Sequence, residues 1–250
     1  MVEFKGVSKR FGARTILNGL SFRAEIGEIL FIIGVSGIGK SVTLKLAAGL
    51  LDADGGEIWI DGQNTTRLPE RERFAVRKKC GMVFQSPALF DSLTVFENVA
   101  FGLRRHFDLS EAELRERVRQ GLELVHLRGI EEKRPSEISF GMQKRVSLAR
   151  TVAIEPKALL FDEPTTGLDP VSTNAVNRLI LDLSRALKTT SIVVSHDMAC
   201  ALEIADRIIV LDQGRVLEEA TPDRLRASRH PLVRDFLEET RLVAETGASR

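Results

Sequence analysis

The chain has 250 residues, of which 43% are hydrophobic and 28% are charged, a composition typical of a globular protein rather than a disordered one. Its 36 Lys and Arg residues against 35 Asp and Glu residues leave a formal net charge of +1, which argues against a nucleic-acid protein with a large basic face. No stretch approaches the roughly 20 apolar residues of a membrane span, and the N-terminus lacks a secretion pattern. We therefore expect a cytosolic protein with two free cysteines, Cys80 and Cys200, and a length that allows one large α/β domain with a small subdomain.

The first part of the chain predicts strands on both sides of a glycine-rich loop. Residues 15–23 carry spaced apolar side chains, and residues 29–33 form a continuous apolar run, as in a strand buried on both faces of a sheet. A helix is predicted over residues 40–48, with Gly49 suited to its C-terminal end. Further strands are predicted at 57–60 and 81–84.

The middle of the chain, from about residue 88 to 155, is predicted to be mostly helical. Ser110 and Glu113 have the spacing of a capping box, and apolar residues follow at helical intervals. A second helix is predicted over residues 141–154. The elements predicted after this block are strands at 158–161, 191–194 and 208–211 and helices at 176–187 and 232–237. Strands that alternate with helices imply a largely parallel sheet, into which the helical block is inserted as a subdomain.

Residues 34–41, which read GVSGIGKS, fit the phosphate-loop pattern G-x-x-x-x-G-K-[ST]. Glycines let the backbone curl so that successive N–H groups point at phosphate oxygens, and the helix that begins here adds its positive N-terminal dipole. Lys40 is predicted to reach the β- and γ-phosphates of ATP, and Ser41 to offer its hydroxyl to Mg²⁺. The residues expected to bind the nucleotide from this segment are Gly34, Ser36, Gly37, Ile38, Gly39, Lys40, Ser41 and Val42.

Two carboxylates, Asp162 and Glu163, follow the apolar strand predicted at 158–161. In a parallel sheet the strand ends carry the chemistry. Asp162 is predicted to hold Mg²⁺, and Glu163 to orient or deprotonate the attacking water. Alone, the pair fits an ordinary acidic turn equally well, but beside a phosphate loop it indicates ATP hydrolysis.

In their order along the chain, these motifs resemble those of the ABC ATPase family, and the resemblance extends to five further features. Gln85 resembles the Q-loop glutamine, and residues 138–143 (ISFGMQ) resemble the signature motif, usually written LSGGQ. Residues 166–169 (TGLD) resemble the D-loop, and His196 the switch histidine. Phe11 is placed like the aromatic residue that stacks on adenine.

The resemblance implies a P-loop NTPase fold, with a RecA-like, mostly parallel sheet, an antiparallel β subdomain and an inserted α-helical signature subdomain. It implies catalytic roles for Glu163, His196 and Gln85, and it adds Gln85 to the metal ligands Ser41 and Asp162. It also implies a head-to-tail ATPase homodimer, in which the phosphate loop of one copy and the signature of the other clasp one ATP. The nucleotide contacts expected from outside the phosphate loop are Phe11, Ser139, Gly141 and Asp169.

Phe140 departs from the family pattern, because it stands where the usual motif has the first glycine of a pair. Glycine allows close approach of the backbone and positive φ angles, whereas Phe adds a Cβ atom and a ring. The ring is therefore expected to slow ATP-driven closure or turnover. On this basis Phe140→Gly is predicted not to lower ATPase activity.

Within the family, several stretches resemble the Mla-type phospholipid-transport ATPases. The phosphate loop reads SGIGK, residues 85–95 read QSPALFDSLTV, and Met142 follows the signature glycine as it does in that group. Importers of polar amino acids share a similar segment after the glutamine, so an amino-acid importer stays open as an alternative. An ABC ATPase without a transport role and a non-hydrolysing assembly module are further alternatives.

The resemblance to the Mla group implies partners: an integral membrane permease, a membrane-anchored lipid-binding protein and a small cytosolic regulator, with no nucleic acid. It places the chain in the cytoplasm as a peripheral subunit on the inner face of the cell membrane. We expect residues 1–240 to form a single ABC ATPase domain and residues 241–250 to form a flexible tail.

Overall fold

The computed structural model of the protein describes residues 1–247. Its strands are β1 (Val2–Phe11), β2 (Arg14–Ala24), β3 (Ile29–Ile33), β4 (Gly55–Ile60), β5 (Gln63–Asn64), β6 (Cys80–Val83), β7 (Ala158–Asp162), β8 (Thr190–Ser195), β9 (Arg207–Asp212) and β10 (Arg215–Ala220). Its α-helices are α1 (Lys40–Ala47), α2 (Glu70–Lys79), α3 (Val95–His106), α4 (Glu111–Leu124), α5 (Phe140–Val152), α6 (Pro170–Leu187), α7 (Met198–Ile204), α8 (Pro222–Arg226) and α9 (Pro231–Gly247).

The strands form two sheets of different character. The six-stranded sheet has the order β10-β9-β3-β8-β7-β6, and all its neighbours pair in parallel except β10, which pairs with β9 as an antiparallel hairpin. The four-stranded sheet has the order β2-β1-β4-β5 and is antiparallel throughout. The predicted combination of a mostly parallel sheet with an antiparallel β subdomain is therefore confirmed.

The side chains of the central strands alternate between two hydrophobic cores, because successive residues of a strand point to opposite faces of the sheet. In β3, Ile29, Phe31 and Ile33 pack into the core that includes helices α3 to α6, while Leu30 and Ile32 pack into the core beneath the antiparallel sheet. All five are fully buried. Burial of each such side chain stabilises the fold by roughly 1.5–3 kcal/mol, which explains why the strand is apolar at every position.

The helical block consists of α3, α4 and α5, which pack against one another. The predicted capping box at Ser110 is present, and Thr94 forms a second one at the start of α3. Helix α5 begins at Phe140 and ends at Val152, close to the predicted range of 141–154. The helical block also contains a 3₁₀ turn at Pro135–Glu137 that the sequence pattern did not predict.

Two further differences from the prediction concern helices. Helix α2 was not predicted, because Val76 is its only buried residue and its sequence therefore shows no apolar stripe. Helix α9 begins near the predicted residue 232 but continues to Gly247, so it extends into the segment 241–250 that was expected to be a tail. The rest of that expected tail, residues 248–250, lies outside the described residues.

Both cysteines are buried and free, as expected, and burial raises the pKa of the Cys80 thiol to about 12. Within residues 1–247, none of the helices combines the length and the hydropathy that a bilayer crossing requires.

Candidate nucleotide site

A cleft of about 560 Å³ lies at the carboxyl ends of β3 and β7, between the phosphate loop and the loops after β6, β7 and β8. It brings together predicted residues that are far apart in sequence: Phe11, Ser36, Gly37, Gly39, Lys40, Ser41, Val42, Gln85, Glu163 and His196. Ile16 and Thr166 also line it, although neither was predicted to contact the nucleotide. The cleft is therefore the place where the predicted chemistry converges.

The backbone of the phosphate loop depends on its glycines for space. Gly39 has a φ of 116° and caps α1, and a Cβ atom there would lie 2.8 Å from Leu17 and 3.0 Å from Ile16. A Cβ atom on Gly34 would lie 2.9 Å from the carbonyl oxygen of Leu211. The contact at Gly34 is with a backbone atom that cannot turn aside, and Gly39 has a φ that other residues rarely adopt, so both glycines follow from the packing of the loop as well as from its ligand.

The Lys40 ammonium is buried at the base of the cleft. Its Nζ donates to the carbonyl of Gly34 at 2.6 Å and to that of Val35 at 3.2 Å, and it lies 3.6 Å from Oε1 of Glu163. Burial lowers the pKa of Lys40, and the negative charge of Glu163 opposes this shift. A phosphate group entering the cleft would thus meet a fixed positive charge.

Ser41 and Asp162 are in direct contact, as the prediction of a shared metal ion requires. The Ser41 hydroxyl donates to Oδ1 of Asp162 at 2.7 Å, and Asp162 is 7% exposed. These are the hard oxygen ligands that Mg²⁺ prefers, and Mg²⁺ commonly takes the rest of its shell from phosphate and water. Among the residues that the structure describes, no group of three or more His, Cys, Asp or Glu could hold a metal ion.

Glu163 is held in an unusual backbone conformation that aims its carboxylate into the cleft. Its φ is 48°, in the left-handed region that costs a non-glycine residue energy. Its Oε2 accepts from Thr166 Oγ1 at 3.3 Å and lies 2.7 Å from Nδ1 of His196. Because an ionised carboxylate only accepts, the proton of this bond belongs to Nδ1. The predicted base and the predicted switch histidine therefore form a hydrogen-bonded pair.

Three predicted residues, Ser139, Gly141 and Asp169, lie outside the cleft of their own chain. Ser139 caps helix α5, where its Oγ accepts from Met142 N at 3.3 Å, and Gly141 lies in the first turn of that helix. Asp169 caps α6 and accepts from the backbone and the hydroxyl of Ser172, bonds that lower the pKa of Asp169. Their expected contacts with a nucleotide depend on a second copy of the chain.

Gly34 and Ile38, which were predicted to bind the nucleotide, are not among the residues that line the cleft. The Ile38 side chain packs against the core below the antiparallel sheet, and its backbone N–H donates to the carbonyl of Val35 at 3.4 Å. The Ile38 side chain thus supports the loop through the core, and the nucleotide contact predicted for this residue would come from its backbone.

The proteins to which this chain is similar are ATP-binding proteins, in agreement with the geometry of the cleft. The protein-family model described as ABC transporter matches residues 17–166, which run from strand β2 to the turn after Glu163. The chain is a member of the ABC transporter family. It is therefore an ATP-binding ATPase, and its fold is that of an ABC ATPase.

Among its ABC relatives, the intermembrane phospholipid transport system ATP-binding protein MlaF of Haemophilus influenzae is 44% identical over 237 residues, which cover 95% of this chain and 90% of that protein. Among solved structures, cbiO1 from Clostridium perfringens, part of the ABC transporter complex cbiONQ, has a TM-score of 0.85 at 29% identity and covers 91% of both chains. The dimeric ATP-binding cassette MJ0796, bound to ADP and Pi in a post-hydrolysis state, has a TM-score of 0.81 at 33% identity and covers 89% of this chain and 99% of that one.

Proposed function

We propose that this chain is the ATPase subunit that powers phospholipid transport across the cell envelope through a separate permease. The observation that carries the proposal is the 44% identity to MlaF over 95% of the chain, a protein named for intermembrane phospholipid transport. The similarity includes the segment around Gln85, where ABC ATPases are expected to meet their permeases. The alternative of an amino-acid importer is not favoured, because relatives at 40–44% identity are phospholipid-transport ATPases.

The cleft supports a direct mechanism for hydrolysis. The ring of Phe11 offers a stacking surface for adenine, and the loop N–H groups and Lys40 bind the β- and γ-phosphates. Glu163 takes a proton from water, whose oxygen attacks the γ-phosphorus while the bond from that phosphorus to the bridging oxygen breaks. ADP leaves with the bonding electrons. His196 holds the Glu163 carboxylate in the position that this transfer needs.

Mg²⁺ fits this site through the oxygens of Ser41, Asp162 and Gln85. When bound, the ion would neutralise charge that develops on the phosphate oxygens. The Asp162 carboxylate accepts a hydrogen bond from Ser41, which lines the cleft, so the two oxygens already lie close enough to share a ligand.

A second copy of the chain would complete the site. Ser139 and Gly141 lie at the N-terminal end of a 13-residue helix, which offers free backbone N–H groups to an anion. Asp169 lies at the start of α6, on the segment that follows Glu163. The MJ0796 cassette is dimeric in its solved structure, and a head-to-tail dimer would bring these residues of one copy to the phosphate loop of the other.

The permease would dock in a groove next to Gln85, which we call the Q-loop groove. This groove has a volume of about 400 Å³, and Phe84, Phe90, Phe101 and Arg150 are among its lining residues. The ring centroids of Phe90 and Phe101 lie 4.8 Å apart, yet these residues are 43% and 49% exposed. Exposed aromatic side chains beside a basic residue suit a short amphipathic segment of a partner.

The similarity to the Mla group supports two further proposed partners, a membrane-anchored lipid-binding protein and a small regulator. It also supports a location at the inner face of the cell membrane.

Co-purification with the permease encoded beside this chain tests the proposal. We expect the two proteins to purify together, and the permease in phospholipid vesicles to raise the ATPase rate. Phe90→Glu should abolish the complex, whereas Ile26→Glu, at a residue that is 80% exposed and outside the Q-loop groove, should leave it intact. Failure to form any complex, or co-sedimentation with ribosomes instead, would remove the transport role.

A further inference from the structure

Phe140 and Lys144 are adjacent on one face of helix α5, because residues four apart on a helix are neighbours. The Lys144 ammonium lies 5.3 Å from the centroid of the Phe140 ring, within the range of a cation–π interaction. Neither side chain lines the nucleotide cleft. Neither side chain is therefore placed to contact ATP within its own chain.

The Lys144 ammonium holds the turn that follows Glu163. Lys144 is 7% exposed, and its Nζ donates to the carbonyls of Pro164 and Thr166, each at 2.8 Å. These two bonds use two of the three N–H donors of the ammonium, and the Phe140 ring presents a π face to the same group. Burial lowers the pKa of Lys144, and the nearby charge of Glu163 opposes this shift.

The turn that Lys144 holds is the one that positions Glu163. Thr166 donates from its backbone N to the Glu163 carbonyl and from its hydroxyl to the Glu163 carboxylate, both at 3.3 Å. Glu163 itself has the left-handed φ of 48°, a conformation that persists only where its surroundings enforce it. Lys144, on helix α5, donates hydrogen bonds to carbonyls on both sides of this turn and so helps to hold Glu163 in that conformation.

The Phe140 ring covers the Lys144 ammonium on the side that faces solvent. Its Cε1 atom lies 3.8 Å from the position of a Cβ atom on Gly167, so the ring lies against the D-loop of its own chain. Phe140 is 43% exposed while Lys144 is 7% exposed, which places the ring between the ammonium and water. A glycine at residue 140 would leave this side of the ammonium uncovered.

We propose that Phe140 and Lys144 are positioning residues that clamp the turn 163–167 to the signature helix and thereby hold the Glu163 carboxylate in its reactive position. The clamp links the helical subdomain to the catalytic carboxylate within one chain. The inference rests on the role proposed for Glu163 as the base. It also gives the Phe140 ring a supporting role, so it predicts the opposite outcome for Phe140→Gly from the expectation based on the motif alone.

The test is steady-state ATPase kinetics of the full chain with Phe140→Leu, Phe140→Trp, Phe140→Gly, Lys144→Met and the double variant Phe140→Leu/Lys144→Met. Phe140→Leu keeps an apolar side chain but removes the π face, and we expect kcat to fall about fivefold, the size of a partly shielded cation–π interaction. Phe140→Trp should keep the parent rate, and Phe140→Gly should lose at least as much as Phe140→Leu. Lys144→Met should lower kcat by about 10- to 100-fold, because it removes two charge-assisted hydrogen bonds.

Three measurements separate positioning from general folding. The KM for ATP and the affinity for a fluorescent ATP analogue should stay within about threefold of the parent, since neither residue lines the cleft. In the Lys144→Met background, Phe140→Leu should have no further effect, because the ring then has no cation to cover. Phe74→Leu, at another Phe that is 43% exposed, serves as the matched control and should keep the parent kcat.

A parent-like kcat for Phe140→Leu and Phe140→Gly, or additive losses in the double variant, would overturn the clamp. Lys144 is buried, so Lys144→Met could fail to fold. The Phe140 variants still test the clamp in that case, because residue 140 is partly exposed and its substitution leaves the core intact. Glu163→Gln in the same assay distinguishes the two failures: a parent-like rate in that variant removes the proposed base, whereas loss of activity there with parent-like Phe140 variants removes only the clamp.

Discussion

Asn98 is fully buried in the first turn of α3, and its amide fixes the loop between Gln85 and that helix. Its Oδ1 accepts from Phe90 N at 2.8 Å. Its Nδ2 lies 3.1 Å from Phe90 O, 3.3 Å from Leu93 O and 3.0 Å from Thr94 O. Since an amide nitrogen carries two hydrogens, these three acceptors share two donors, and the side chain makes about three full hydrogen bonds.

We predict that Asn98→Ala lowers the free energy of unfolding by about 3 kcal/mol, because each intramolecular hydrogen bond contributes about 1 kcal/mol net. Phe90 is exposed, so its freed backbone groups can bond to water, which keeps the loss from growing larger. In a domain of this size, 3 kcal/mol corresponds to a fall in Tm of about 6–12 °C, which differential scanning calorimetry would measure.

Asn64→Ala is the matched control, because Asn64 is only half-buried and accepts a single hydrogen bond, from Thr66 N at 3.0 Å. Its Tm should fall by less than half as much. Below its Tm, Asn98→Ala should keep the parent ATPase rate, since Asn98 does not line the cleft, while its binding to the permease should weaken, since Phe90 lines the Q-loop groove. A Tm within about 2 °C of the parent would refute the assigned role of the amide.

Three further predictions follow from single contacts. Gly39→Ala should abolish ATP binding in a fluorescent-nucleotide titration, because its Cβ atom would lie 2.8 Å from Leu17 at a φ of 116°; retained affinity would show that the loop adapts. Lys40→Ala should likewise lose ATP binding by more than about 10-fold while the fold is kept, and an unchanged Kd would contradict the phosphate contact. The hydrogen bond from Lys157 lowers the pKa of Asp61, so its stabilising effect is present above the ordinary pKa and is lost as the pH falls below about 4. Asp61→Asn should therefore unfold with a shallower dependence on pH in this range, and an unchanged acid transition would exclude the contribution.

The sequence predicted most of the site because its chemistry requires particular residue types at fixed spacing. The phosphate loop needs glycines and Lys40 in one short segment, and Asp162 and Glu163 must follow a buried strand. Parallel strands then bring these segments to one edge of the sheet. The resemblance of motif order to a family supplied Phe11, Gln85 and His196, which composition or periodicity alone would not have selected.

The parts that sequence did not predict depend on contacts between distant segments. Thr166 lines the cleft three residues after Glu163, whose backbone adopts a left-handed conformation that no local sequence pattern predicts. Helix α2 buries only Val76 and is otherwise polar, so its sequence lacks the apolar stripe that marks a helix. Phe140 looked like a departure from a motif, and only the fold shows that its ring lies on Lys144 and beside Gly167.

The ATP turnover of Glu163→Gln tests the role of Glu163 as the catalytic base most directly. Glutamine keeps the shape of the side chain but cannot take the proton from water. We predict that this variant binds ATP as the parent does, accumulates as an ATP-bound dimer in light scattering, and hydrolyses ATP more than about 100-fold more slowly. Turnover at the parent rate would contradict the assignment of the base and the mechanism built on it.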